Sequence, residues 1–236
     1  YTTQGSANGW LDPMQLMKDT MAMQKAQTEA LEEAPAFLVM TLSLPYLEGN
    51  KFLLKTTNAM AAMMGKPKNE DLDQAFRFPP QSSEQVLHPE KYWDPAKKDE
   101  PMAIQVSDFS KELGNGWKSL DSDTLGELGC YALTEKKMPS MATAAGQMAS
   151  RFNQASSGWG GDAYRYFRKE GGGKLLFWKT AWDTEKDAVE FSEALALKQK
   201  GNPFFRTQIL TANLVLVVFA DSVGEEAFNN TNYHQR

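Results

Sequence analysis

Residues 163–182 read AYRYFRKEGGGKLLFWKTAW, two aromatic-rich runs on either side of a triple glycine. Aromatic residues at 164, 166, 167, 177, 178 and 182 favour extended backbone, and consecutive glycines supply the positive φ that a tight reversal needs. This stretch therefore predicts a β-hairpin. It is not a phosphate loop, because no helix opens directly after the glycines.

Toward the C-terminus, Asp183-Thr184-Glu185 reads as the cap of a helix over 185–200, with Ala188, Val189, Phe191, Ala194 and Leu195 in one stripe. Gly201 and Pro203 stop it. FFRTQIL (204–210) and NLVLVVFAD (213–221) are two further strands. Residues 157–221 thus predict a ββαββ unit: an antiparallel sheet with one helix on a face, followed by a frayed tail over 222–236. Asn229-Asn230-Thr231 matches a glycosylation sequon, a pattern common by chance.

Toward the N-terminus the pattern is mainly helical. Asp12-Pro13 opens a long helix with Met or Leu at 14, 17, 21 and 31, ended by Pro35. The apolar run 36–44 is compatible with buried helix or strand. A helix follows over 47–64, closed by Gly65 and Pro67, and a short one over 69–76. Residues 77–118 predict a long irregular connection with a strand candidate at 102–106. Helices over 121–133 and 139–155 complete the helical part. The fold class is α+β, read as one domain over 1–236.

At 236 residues, 42% hydrophobic and 23% charged, the chain can bury a substantial core. Its formal net charge of -5 and its lack of Lys/Arg clusters argue against nucleic acid as a partner. The longest apolar run, 214–220, is far short of the roughly 20 residues that cross a bilayer. The sequence opens at Tyr1 with no basic or apolar leader, which predicts a processed or truncated product. Cys130 is the single cysteine, so no internal disulfide is possible, and its apolar neighbours mark it as a small buried filler. The twelve methionines read as flexible core filler in preference to a peptide groove or thioether metal site.

Only His88 and His234 are available for imidazole chemistry, and neither lies in an H-E-x-x-H helix. There is also no G-x-S-x-G elbow. The most informative polar segment is Pro79–Tyr92. Ser82-Ser83-Glu84-Gln85 can open a short helix, placing Glu84 and His88 four apart with Glu90 close behind. Such a set could hold a cation or substrate, the carboxylate orienting the imidazole, or anchor the loop by satisfying buried backbone groups. The anchor is the preferred reading. Glu127, in an otherwise apolar helix, needs a partner and could meet Glu84 and His88 as a Glu/His/Glu ligand set. Asp162 in SSGWGGDAYRY is expected to cap or turn the start of the hairpin, with Trp159 packed beneath it.

Five segments in order, LPYLEGNKF (44–52), FPPQSSEQVLHPEKY (78–92), TLGELG (124–129), SSGWGGDAYRY (156–166) and WKTAWDTEKDAVEF (178–191), resemble a bacterial secreted, largely uncharacterised zinc-metallopeptidase-like family. The resemblance covers about residues 34–191, the C-terminal portion of such a protein. It implies an H-E-x-x-H helix upstream and a Glu-Gly-x-Ala segment supplying a third zinc ligand. Thr3-Gln4-Gly5-Ser6-Ala7 looks like that segment with Gln4 in place of the glutamate, and a neutral amide is a poor zinc ligand. Two expectations follow. One is a non-catalytic binding or structural subunit of the cell envelope, with a protein or peptide partner and no cofactor in this chain. The other is one piece of a zinc peptidase completed by an upstream segment or a separate chain. The resemblance implies a periplasmic, extracellular or outer-envelope location. A third possibility, a small-molecule module, would use an open pocket in the aromatic hairpin.

Overall fold

The computed structural model describes Lys18, Ala22, residues 37, 38, 40–42, 48–134, 155–199 and 201–231. Its centre is the hairpin, formed by β2 (Trp159–Lys169) and β3 (Lys174–Trp182). Gly171, Gly172 and Gly173 all hold positive φ, at 83°, 125° and 111°, which a residue with a Cβ adopts only under strain.

β4 (Phe205–Thr211) and β5 (Leu214–Ala220) form where the sequence predicts strands and add to this hairpin through β5. A fifth strand, β1 (Trp117–Asp123), pairs with the free edge of β2, giving a fully antiparallel sheet in the order β1-β2-β3-β5-β4. This strand corrects the expectation of an irregular stretch running into a helix at 121. The helix, α6 (Gly126–Thr134), begins five residues later. WKSLDSD carries little strand signal of its own; the open hydrogen-bonding edge of β2 decides its conformation.

Both sheet faces are covered. Phe167, Leu175, Phe177 and Val218 face a layer made by Val106, Phe109, Leu113 and Phe228. On the opposite face, Trp178, Val215 and Val217 pack with Trp159 and Trp182 beneath Ala188, Phe191 and Leu195 of α7 (Glu185–Gln199) and beside Cys130, which is fully buried as expected. Burying each of these aromatic and aliphatic side chains is worth about 1.5–3 kcal/mol, so these two clusters hold the fold together.

Phe228 belongs to α8 (Ser222–Asn229), which corrects the expectation of fraying over the first part of the tail; residues 232–236 lie outside the described residues. Asp221 caps it by accepting from the Gly224 N–H at 2.8 Å, and Phe228 fixes it to the sheet. The predicted helix over 47–64 is two helices, α1 (Gly49–Leu53) and α2 (Ala59–Met64). Between them Lys55 takes φ 54°, and Asn58 starts a new helix by accepting from the Ala61 N–H at 3.1 Å. In the apolar run over 36–44, the described residues 37, 38 and 40–42 are helical. α3 (Asn69–Arg77) lies where expected.

The connection over 77–118 contains two short helices, α4 (Ser83–Leu87) and α5 (Glu90–Trp93). The strand candidate at 102–106 does not join the sheet. It runs over β2, with the Met102 N–H donating to the Gly160 carbonyl at 2.6 Å and Arg165 Nε donating to the Val106 carbonyl at 3.0 Å. A side chain at Gly161 would collide with the Met102 backbone, so this glycine of GWGGD permits the close approach; one at Gly160 would meet the movable end of the Met102 side chain. No helix among the described residues is long and apolar enough to cross a membrane. The helices predicted over 12–34 and 139–155 lie outside the described residues, except that Lys18 and Ala22 are helical.

Candidate functional site

The segment Pro79–Tyr92 is pinned at both ends. Ser82 Oγ accepts from the Gln85 N–H at 3.2 Å and starts α4, as the sequence predicts. The buried Gln85 side chain then accepts from the Gln81 N–H at 2.8 Å and donates to the Asp99 carbonyl at 2.5 Å. At the far end, Tyr92 donates its hydroxyl to the Phe78 carbonyl, and Trp93 Nε1 donates to the Phe52 carbonyl at 2.8 Å. The Phe52 ring stands 5.0 Å from that of Tyr92 and 5.4 Å from that of Trp93.

α4 docks on the start of α6. Ser83 Oγ accepts from the Leu128 N–H at 3.3 Å. Gly126, at φ 71°, leaves no room for a Cβ beside that hydroxyl. From the sheet side, Asp162 completes the junction. Its carboxylate accepts from the Leu125 and Gly126 N–H groups at 2.8 Å each, from Trp159 Nε1 at 3.1 Å and from Trp178 Nε1 at 2.7 Å. Asp162 therefore caps α6 from a neighbouring strand, a correction to the expected role at the hairpin start. Trp159 packs beneath it as expected. Burial raises the Asp162 pKa above the usual carboxylate range, while the four donors favour the ionised form.

In the first turn of α6 the Glu127 side chain is fully buried, and His88 reaches it from the loop. His88 Nε2 lies 3.1 Å from both carboxylate oxygens but is hydrogen-bonded to Oε1 alone, leaving Oε2 without a hydrogen bond. The imidazole is 26% exposed, so solvent reaches one side of the pair. Burial by itself would depress the His88 pKa, but the hydrogen bond and charge of Glu127, with Glu84 beyond, carry it above its ordinary value.

Glu84 turns elsewhere. Although His88 follows it by four residues, Glu84 Oε1 meets Lys91 Nζ at 2.6 Å. The same ammonium contacts Asp99 at 2.7 Å and Asp183 at 3.3 Å. Among the described residues, Glu84, Asp99 and Asp183 form the one trio of His, Cys, Asp or Glu donors within 4.8 Å of one another. Lys91 stands among them as a built-in cation, and its ammonium would have to leave before a hard divalent ion could use the three carboxylates. The predicted Glu84/His88/Glu127 ligand set is thus corrected. His88 and Glu127 touch, Glu84 belongs to the lysine hub, and exposed Glu90 lines a separate groove of about 590 Å³ beside Lys55 and Trp93. Gln4 and His234 lie outside the described residues.

Sequence reasoning missed Lys91, Asp99 and Asp183. The Glu84–Lys91 spacing spans two helices broken by Pro89, and Asp183 arrives from 92 positions away, so no local pattern signals the hub.

Burial pushes the Glu84 pKa up to about 7 against the pull of Lys91, so the folded state binds that proton more tightly than the unfolded chain does. The resulting stability is present at low pH and is lost as pH rises from the unfolded value toward about 7. His88, also raised, contributes below its unfolded value of 6.5 and loses that contribution as pH rises through its folded pKa. Both slopes have the same sign. Urea midpoints should fall steadily between about pH 5 and pH 8, and Glu84→Gln should flatten the curve; a midpoint that rises with pH would contradict both assignments.

All five segments that carry the sequence resemblance meet around this junction: Phe52 against Tyr92, Ser83 against Leu128, and Asp162 against Gly126 and Trp178. Residues 111–226 match the model of a domain of unknown function, DUF8575. The match includes Glu127, Asp162 and Asp183 and leaves Glu84, His88 and Lys91 outside. No curated protein and no solved structure matches the chain.

Proposed function

We propose that this chain is a non-catalytic, peptidase-like protein of the bacterial cell envelope that works as a binding or structural subunit. The observation that carries the reading is the Lys91 hub. Glu84, Asp99 and Asp183, the acids best placed to hold a metal or move a proton, surround an ammonium at 2.6, 2.7 and 3.3 Å. A lysine bound by three carboxylates serves to hold α4, α5 and the end of β3 together. The His88–Glu127 pair joins the same loop to α6 and gives the junction a second tie.

The peptidase-like description and the envelope location rest on the five-segment resemblance. A protein or peptide is the proposed partner. Zinc content by plasma emission spectrometry, paired with a peptide-hydrolysis assay on the purified chain, tests the proposal. The expected result is substoichiometric zinc and no metal-dependent cleavage. One zinc per chain with chelator-sensitive hydrolysis would establish the alternative, a piece of a zinc metallopeptidase.

A further inference from the structure

The turn end of the sheet carries three cations in a single row. In the ladder registers Lys118 lies directly across from Arg168, and Arg168 directly across from Lys174, so the three side chains leave the same face of three adjacent strands. All three are exposed. Directly opposed like charges destabilise a sheet. Local acids relieve them only at the two ends of the row. Glu170 approaches Lys118 at 4.0 Å with both side chains largely in solvent, and Asp221, which caps α8, interacts with the charge of Lys174. Arg168, the middle charge, has no ion-pair partner among the described residues.

Two members of the row, Lys118 and Arg168, line an open groove of about 560 Å³ with Leu120, Lys169 and Glu170 over the turn glycines, and Lys174 extends the row from Arg168 on the next strand. Leu120 sits at a bulge, between the registers Ser119↔Phe167 and Asp121↔Tyr166, and is 55% exposed. One row further in on the charged face come Asp121, exposed and accepting from the Tyr164 hydroxyl at 2.8 Å, then Tyr166, Leu176 and Phe219, these three half-buried. Cations in front, with Tyr166, Leu176 and Phe219 behind them on the inner strands and Asp121 on the edge strand β1, make a surface of defined chemistry on a chain whose net charge is -5.

We infer that this groove binds an extended acidic segment of a partner protein, its carboxylates on Lys118, Arg168 and Lys174 and an apolar side chain against Leu120. The inference deepens the binding role proposed above, on which it rests for taking a protein as the partner. The zinc and hydrolysis measurements test that role separately, so either can fail alone.

The test is calorimetric titration of the intact chain with an amidated hexapeptide of alternating Asp and Leu. The matched peptide with Asn for Asp, and vesicles of phosphatidylglycerol in phosphatidylcholine, are the other arms. The acidic peptide should bind at low salt, weaken as sodium chloride rises toward 0.5 M, and bind roughly tenfold more tightly than the Asn peptide. The triple change K118Q/R168Q/K174Q should reduce binding by about tenfold without lowering the thermal midpoint, because it removes repulsion within the sheet. R168Q alone should show the same trend at smaller size. Absent binding of the acidic peptide, binding that the triple change leaves intact, or binding to the vesicles in place of the peptide would each overturn the proposal.

Discussion

Asp162→Ala is expected to destabilise the fold by about 3–5 kcal/mol, the largest effect of any single change at the junction. Its carboxylate is the shared acceptor for two indole N–H groups and for two backbone N–H groups at the start of α6. Alanine would leave all four donors without that partner in the interior, each costing about 1–3 kcal/mol if nothing replaces it. It would also take the negative charge from the positive end of the helix dipole. Chemical denaturation followed by tryptophan fluorescence reads the loss directly, because Trp159 and Trp178 report the site itself. Asp162→Asn keeps one acceptor oxygen and should lose less than alanine. Equal, small losses for both variants would show that the four hydrogen bonds do not carry the junction.

Lys91→Met should cost about 3 kcal/mol at pH 8. The methionine retains much of the apolar stem but leaves buried Glu84 facing Asp99 and Asp183 without a counter-charge. Glu84 already titrates near neutrality, at about 7, and with the ammonium gone it would be easier still to protonate. The deficit should therefore shrink as pH falls toward 6, while Lys91→Arg, which keeps the charge, should lose less at both pH values. Paired urea midpoints at pH 6 and pH 8 separate this from a packing effect. A loss that is the same at both would place the cost in the lysine stem.

The sequence carried the hairpin, α7, β4 and β5 because each has a strong local signal: aromatic runs about three glycines, a capped apolar stripe, two strand-like runs joined by a short turn. It also identified Glu127 as a buried carboxylate in need of a partner and named His88 as one candidate, a contact the structure makes at 3.1 Å. The break at Lys55 was partly legible, since Thr56-Thr57-Asn58 contains two β-branched residues and a capping asparagine. The helix α8 was underestimated because its stability comes from Phe228 packing on the sheet, a contact that sequence spacing does not reveal.

What sequence alone determined is the α+β class, the antiparallel unit around the triple glycine, the burial of Cys130 and the short helix that Ser82 opens in the loop over 79–92. Periodicity, turn chemistry and capping are local properties and are written into neighbouring residues. Tertiary structure alone decided that WKSLDSD becomes an edge strand, that Asp162 caps a helix 36 residues before it, that Glu84 turns from His88 to Lys91, and that Lys118, Arg168 and Lys174 stand in one row. Each of these depends on which distant backbone offers a free hydrogen-bonding edge or an unpaired charge, and that is settled only when the sheet assembles.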